Sequence, residues 1–281
     1  MKSMILLVPL LLAIAVLSPR TPAQETSEVN CEALLEQAET YDITNDSRAE
    51  AAFRTVALAH GKKCPEVFLK LSMNLSHSLK FNEAAEMLRV YRKLVPKSRA
   101  NDDQDLQRFE KAAKVQERIA NSPLPSLDDL LDYTRYVRAY GRKPYSAIPY
   151  AEKAVQLYPD AVEAILLLLE VLPPRQAQEE RVEHLLNRAA TIEPSNSTIY
   201  TTRGWWNLHT FRRSDDAEKY FRQALLVSND SDPTAWKGLG YVFMERGKKH
   251  DAIRFFRRSL RLESADPEII RVIESLERNP N

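Results

Sequence analysis

Residues Pro233 to Pro267 read PTAWKGLGYVFMERGKKHDAIRFFRRSLRLESADP. Trp236, Leu239, Gly240 and Phe243 fall at i, i+3, i+4 and i+7, which places them on one face of a helix. Ala252, Phe256 and Ser259 do the same for a second helix. Gly240 and Ala252 are small enough to let two helix backbones approach closely. Gly247 follows the first helix, where a left-handed C-cap favours glycine. Pro233 suits a first helical turn, where no backbone N–H is missed. The stretch therefore predicts two short amphipathic helices joined by a tight turn.

The pattern recurs upstream. Ala147, Val182, Ala217 and Ala252 are spaced 35 residues apart, as are Ala151, Leu186, Phe221 and Phe256. Ala154, Ala189, Ala224 and Ser259 keep the same step, and Pro159, Pro194, Asn229 and Ser264 follow it in the next loop. Ladders in register at such a period are the signature of a repeat architecture. The order Trp236, Leu239-Gly240, Phe243, Ala252, Phe256, Ser259 resembles the tetratricopeptide repeat (TPR), a helix–turn–helix of about 34 residues. Tyr200, Arg203 and Gly204 resemble its first helix, with Asn207 where a large apolar residue is usual and a one-residue excess before Asp216. Phe68, Leu71, Ser72, Leu75, Ala84, Leu88, Tyr91 and Pro96 follow its spacing near the N-terminus. The fold class expected is all-α, an α-solenoid of stacked TPR-like pairs with a C-terminal capping helix.

Composition agrees. The 281 residues are 44% hydrophobic, with six glycines and a formal net charge of +1. The chain is too close to neutral to argue for nucleic acid, and strand and hairpin signals are poor. Residues 1–23 carry Lys2, an apolar run from Ile5 to Leu17 and the small-residue site Thr21-Pro22-Ala23, the pattern of a signal peptide. The expected product is exported after cleavage near Ala23, periplasmic or secreted according to source, with an uncleaved anchor as the alternative. No later stretch reads as a membrane span. Cys31 and Cys64 are the only cysteines, and an oxidising compartment favours a disulfide between them; two free thiols are the alternative.

Four parts are expected: a signal peptide over 1–23; a block over 24–97 with one degenerate and one good repeat; an inserted helix and Pro-containing joint over 98–125; and four repeats plus a capping helix over 126–281. The inserted helix, near 101–122, has no evident partner within a normal repeat. Asn45, Asn74, Asn196 and Asn229 open Asn-x-Ser/Thr triplets, candidate glycosylation sites only in a eukaryotic secretory route.

Catalytic motifs are missing from the sequence. His60, His77, His184, His209 and His250 form no metal-spaced pair, and there is no phosphate-binding or nucleophile-elbow motif. No catalytic residue, metal or cofactor is assigned. Arg142-Lys143, Arg212-Arg213 and Lys248-Lys249 occupy equivalent turns and form a candidate basic ridge, although cations also favour helix C-termini for local reasons.

What the resemblance implies is a binding groove lined by first-helix positions. By matching, these are Met73 and His77 near the N-terminus, Thr201, Trp205 and His209 in one repeat, and Lys237, Tyr241 and Glu245 in the next. Either Trp205 or Trp206 must pack between repeats instead. The subclass that clamps chaperone carboxylate termini needs Lys and Asn at successive groove positions. The pairs here are Thr201/Trp205, Lys237/Tyr241 and Leu69/Met73, so that subclass is set aside. The expected role is a non-enzymatic scaffold binding an unidentified protein or peptide, with an anionic glycan or cell-wall polymer as the alternative ligand.

Overall fold

The computed structural model describes residues 29–42, 46–96, 100–143, 145–263 and 266–278. The signal-peptide pattern lies outside them. The described residues form helices and turns without strands. The first two pairs are α1 (Cys31–Asp42) with α2 (Asp46–His60), and α3 (Glu66–His77) with α4 (Phe81–Leu94). A long helix, α5 (Ala100–Asn121), follows. Next come α6 (Leu127–Tyr140) with α7 (Ile148–Leu157), and α8 (Val162–Val171) with α9 (Glu179–Ile192). The last two pairs are α10 (Ser197–Trp205) with α11 (Ser214–Val227), and α12 (Pro233–Glu245) with α13 (Lys249–Leu262). The final helix is α14 (Pro267–Arg278). Each helix packs on the next in sequence, which makes the stack an all-α solenoid of TPR-like pairs.

Side-chain caps start α6, α10 and α12, whereas α8 follows Ala161 without one. The side chains of Ser126, Asn196 and Asp232 accept hydrogen bonds from the N–H groups of Asp129, Thr198 and Ala235. Asp266 does the same for Glu268 and Ile269 at the start of α14. Each cap satisfies a donor that the helix itself leaves unpaired. At the other end of α12, Gly247 adopts φ of +70°, the left-handed turn its position predicts.

The repeating ladder becomes the packing. Ala217, Phe221, Ala224, Ala252 and Phe256 are fully buried. The close approach at Gly240 is made by an aromatic ring rather than by Ala252: a Cβ there would lie 2.4 Å from Phe256. Gly204 and Gly238 flank the Phe221 ring in the same way, one from its own pair and one from the next.

The helix over 100–121 is no isolated insert. α5 packs against both α4 and α6, and buries Leu106, Phe109, Ala112, Ala113 and Val115. Phe109 and Phe81 both contact the Tyr140 ring, at 5.1 and 6.1 Å. One apolar core therefore runs from Ala38 to Phe211. A second runs from Tyr200 to Ile273. They meet at α10, where Ile199 serves the first and Tyr200 the second.

The disulfide is present. Cys31, which opens α1, is bonded to Cys64 in the turn between α2 and α3, with Cα atoms 5.4 Å apart. Asn74 is 1% exposed, which removes it as a glycosylation candidate. No helix among the described residues is long and apolar enough to cross a membrane.

Candidate functional site

The first helices of successive pairs touch: α6 meets α8, α8 meets α10, and α10 meets α12. They make one continuous face. Trp205 lies at its centre, half-buried, while neighbouring Trp206 is 8% exposed and packs into the core. The Trp205 ring stacks on His209 with centroids 5.1 Å apart and planes 8° from parallel. It also meets Phe221 and Tyr241 edge-on, at 5.1 and 5.8 Å. Tyr241 rests in turn on Phe256, at 5.1 Å. The second-helix aromatics of the ladder thus form the platform on which the surface aromatics stand.

Trp205 also borders an open cleft of about 420 Å³ between α8 and α10. Leu166, Leu169 and Thr202 line it, with Glu163 and Glu170 at its edge. Beyond Tyr241 the face is closed by the start of α14. The Tyr241 hydroxyl donates to Glu268 at 2.9 Å, and Lys237 pairs with Asp266 at 3.1 Å.

Not every expected groove residue belongs to this face. Thr201 is 3% exposed and its hydroxyl turns back to the Thr198 carbonyl, so it offers nothing to a ligand. Met73 packs against the N-terminal core. His77 lies beside the α6–α7 turn, with Nδ1 3.2 Å from an Arg142 Nη2. Glu245 is on the rim, 4.0 Å from Arg212. The acidic residues of α14 and the platform role of Phe221 and Phe256 were not read from sequence. The Asp266-Pro267-Glu268 cap was the available signal for the first.

The candidate basic ridge is largely matched by its neighbours. Arg213 bonds Glu179 at 2.6 Å. Lys248 sits over the Phe243 ring at 5.6 Å. Lys143 is exposed, and Lys249 is partly covered.

An extra residue shapes the site. Gly204 to Ala217 spans thirteen positions, whereas Gly240 to Ala252 spans twelve. The excess is absorbed as a π-helical turn over Trp206–Phe211, which ends with Arg212 at φ of +59°. π-turns of this kind are frequent at functional sites. Asn207 fits it for a polar reason. Its Nδ2 donates to the Arg203 carbonyl at 2.9 Å, and its own carbonyl accepts from the Arg212 and Arg213 N–H groups. Leu208 takes the apolar position instead, fully buried.

No family model matches the chain. Among curated proteins, the rat and human mitochondrial import receptor subunits TOM70 are each 23% identical to it over 141 residues. The match covers 49% of this chain and 23% of theirs, so the chain spans about a quarter of the length of these relatives. Among solved structures, a tetratricopeptide repeat protein of Parabacteroides merdae is 14% identical, with a TM-score of 0.49, covering 89% of this chain and 99% of its own. A TPR protein of Thermus thermophilus is 15% identical, with a TM-score of 0.48, covering 75% and 98%.

Electrostatics at the face follow from its burial. Covering of its ring holds His209 below the usual histidine range; Glu245 opposes this and Arg212 adds to it. His209 is open at its edge but covered on the Trp205 side. Burial and the hydrogen bond to Glu268 push the Tyr241 hydroxyl up to about 12. Burial raises Asp266, but the Ile269 N–H and Lys237 outweigh it and hold the carboxyl low. Among the described residues, no group of three or more His, Cys, Asp or Glu side chains is placed to hold a metal.

Proposed function

We propose that the chain is a non-enzymatic scaffold that binds a segment of another protein across the face of α8, α10 and α12. The observation that carries this reading is the contiguous surface of Trp205, His209 and Tyr241, built from two neighbouring pairs. Aromatic residues in partly desolvated settings dominate protein-binding hot spots. The apolar cleft beside Trp205 gives a ligand side chain somewhere to go. The relatives named as import receptor subunits agree with a binding role. Export is part of the proposal, supported by the Met1-to-Ala23 pattern and the Cys31–Cys64 disulfide.

The test is affinity capture from the exported fraction, with protein beginning at Gln24 as bait. A Trp205→Ala, Tyr241→Ala double variant with retained helicity runs beside it. A protein retained by the first and lost by the second supports the reading. Equal capture by both, abolished at high salt, counts against it and favours an electrostatic contact elsewhere.

A further inference from the structure

Cations on these helices are mostly answered by a carboxylate of a neighbouring element. Arg89 bonds Glu110 at 2.7 Å, Arg181 bonds Glu152 at 2.6 Å, and Arg246 bonds Asp215 at 2.6 Å. α13 departs from this balance. It carries Lys249, Arg254, Arg257, Arg258 and Arg261 against a single acid, Asp251. Arg258 lies over the Trp236 ring, on another side of the helix. The rest of these cations, with His250, line an open cleft of about 500 Å³ between α13 and α14.

The cleft has an apolar floor of Ile253 and Leu276, and Glu277 is the one carboxylate lining it. Glu277 reaches Arg257 at 2.6 Å, and Asp251 reaches Arg254 at 3.1 Å, yet both arginine side chains stay more than 60% exposed. Arg261 is exposed and has no ion pair among the described residues. In a chain of net charge +1, this strip concentrates positive charge.

We propose that this cleft docks an acidic amphipathic helix of a partner protein. His250, Arg254, Arg257 and Arg261 stand at i, i+4, i+7 and i+11, a strip about 16 Å long at the α-helical rise. Carboxylates at the same spacing on a second helix meet it along its whole length. Ile253 and Leu276 then receive the apolar side chains of that helix between the charges. Single-stranded nucleic acid is the poorer fit, because no aromatic side chain lines the cleft to stack a base. The strip is distinct from the aromatic face of α10 and α12.

The test uses the whole chain from Gln24 and a labelled helical peptide with Glu at i, i+4, i+7 and i+11 and Leu on the adjoining positions. The control peptide has Gln in place of Glu. Anisotropy titrations are run on the native chain and on an Arg254→Glu, Arg261→Glu variant; both positions are exposed, and circular dichroism confirms the fold. The expected result is binding of the Glu peptide that falls about tenfold or more in the variant and weakens with salt. Equal affinity for the Gln peptide, or for the variant, overturns the proposal. Tighter retention of heparin or an oligonucleotide, lost in the same variant, also overturns it and makes the cleft a polyanion site.

Discussion

A Cβ added to Gly238 of α12 would lie 2.4 Å from the Phe221 ring of α11. A Cβ added to Gly204 of α10 would meet the same ring at 2.6 Å. The side chain is fully buried and held between two backbones, so it has no room to retreat. Overpacking of this kind costs about 1–3 kcal/mol, while Gly-to-Ala in a helix returns up to about 1 kcal/mol. Gly238→Ala is therefore expected to lower the urea midpoint. Adding Phe221→Leu is expected to relieve part of the strain, so the double variant loses less than the two single losses added together. A midpoint for Gly238→Ala at or above the native value would refute the packing account.

The disulfide ties the first pair to the start of the second. Cys31 and Cys64 close a loop with a sequence separation of 33. The chain-entropy model gives such a bond about 3–4 kcal/mol, acting on the unfolded state. Replacing both cysteines by alanine is expected to destabilise the N-terminal pairs by that order. Hydrogen exchange reads this locally: amides of α1 and α2 lose protection first, while those of α12 and α13 do not. Uniform protection in oxidised and double-variant protein would exclude a stabilising role.

The pairing of helices was legible because the ladder residues do one job at every repeat. Ala217 and Ala252 pack between helices, and Phe221 and Phe256 fill the space left by a glycine opposite. Matching puts Trp205 in the groove but leaves its role exchangeable with that of Trp206; the packing leaves Trp205 half-buried and Trp206 in the core. Thr201 was not legible: near the start of α10, its hydroxyl has the Thr198 carbonyl in reach, and the side chain is buried. The place of α5 was also hidden. Its contacts to α4 and α6 come from outside the repeat period, so the ladders contain no trace of them. The charge excess of α13 was visible in its composition, but only the position of α14 turns it into a cleft.

His209 makes the aromatic face sensitive to acid. Ring burial holds its pKa below the ordinary histidine value of about 6.5, so the folded state disfavours the proton. The unfolded state binds more protons between that lowered value and 6.5, and stability rises with pH across this window. The contribution is complete above 6.5 and is lost as pH falls toward the folded value. An imidazolium stacked on Trp205 quenches its fluorescence, so the native chain is expected to show an emission change with a midpoint below 6.5. In His209→Gln that transition should vanish, leaving Trp206 and Trp236 as an unchanging background. A midpoint above 6.5 would contradict burial as the dominant influence.

Asn207 holds the π-turn that carries His209. At this position the repeat pattern asks for a large apolar residue, and burial to 2% exposed makes leucine look favourable. The hydrogen bonds argue the other way. Asn207 Nδ2 answers the Arg203 carbonyl at 2.9 Å, an acceptor inside the distorted turn. Leucine removes that bond; the carbonyl keeps the Trp206 N–H as a donor, so the loss is that of one buried hydrogen bond, about 0.5–1.5 kcal/mol. Added apolar burial offsets part of this. Asn207→Leu is therefore expected to destabilise the chain by about 0.5–1.5 kcal/mol. It is also expected to weaken the Trp205–His209 stack, read as a smaller pH-dependent change in Trp emission. A variant more stable than the native chain, with the emission transition unchanged, would show that the π-turn does not depend on this side chain.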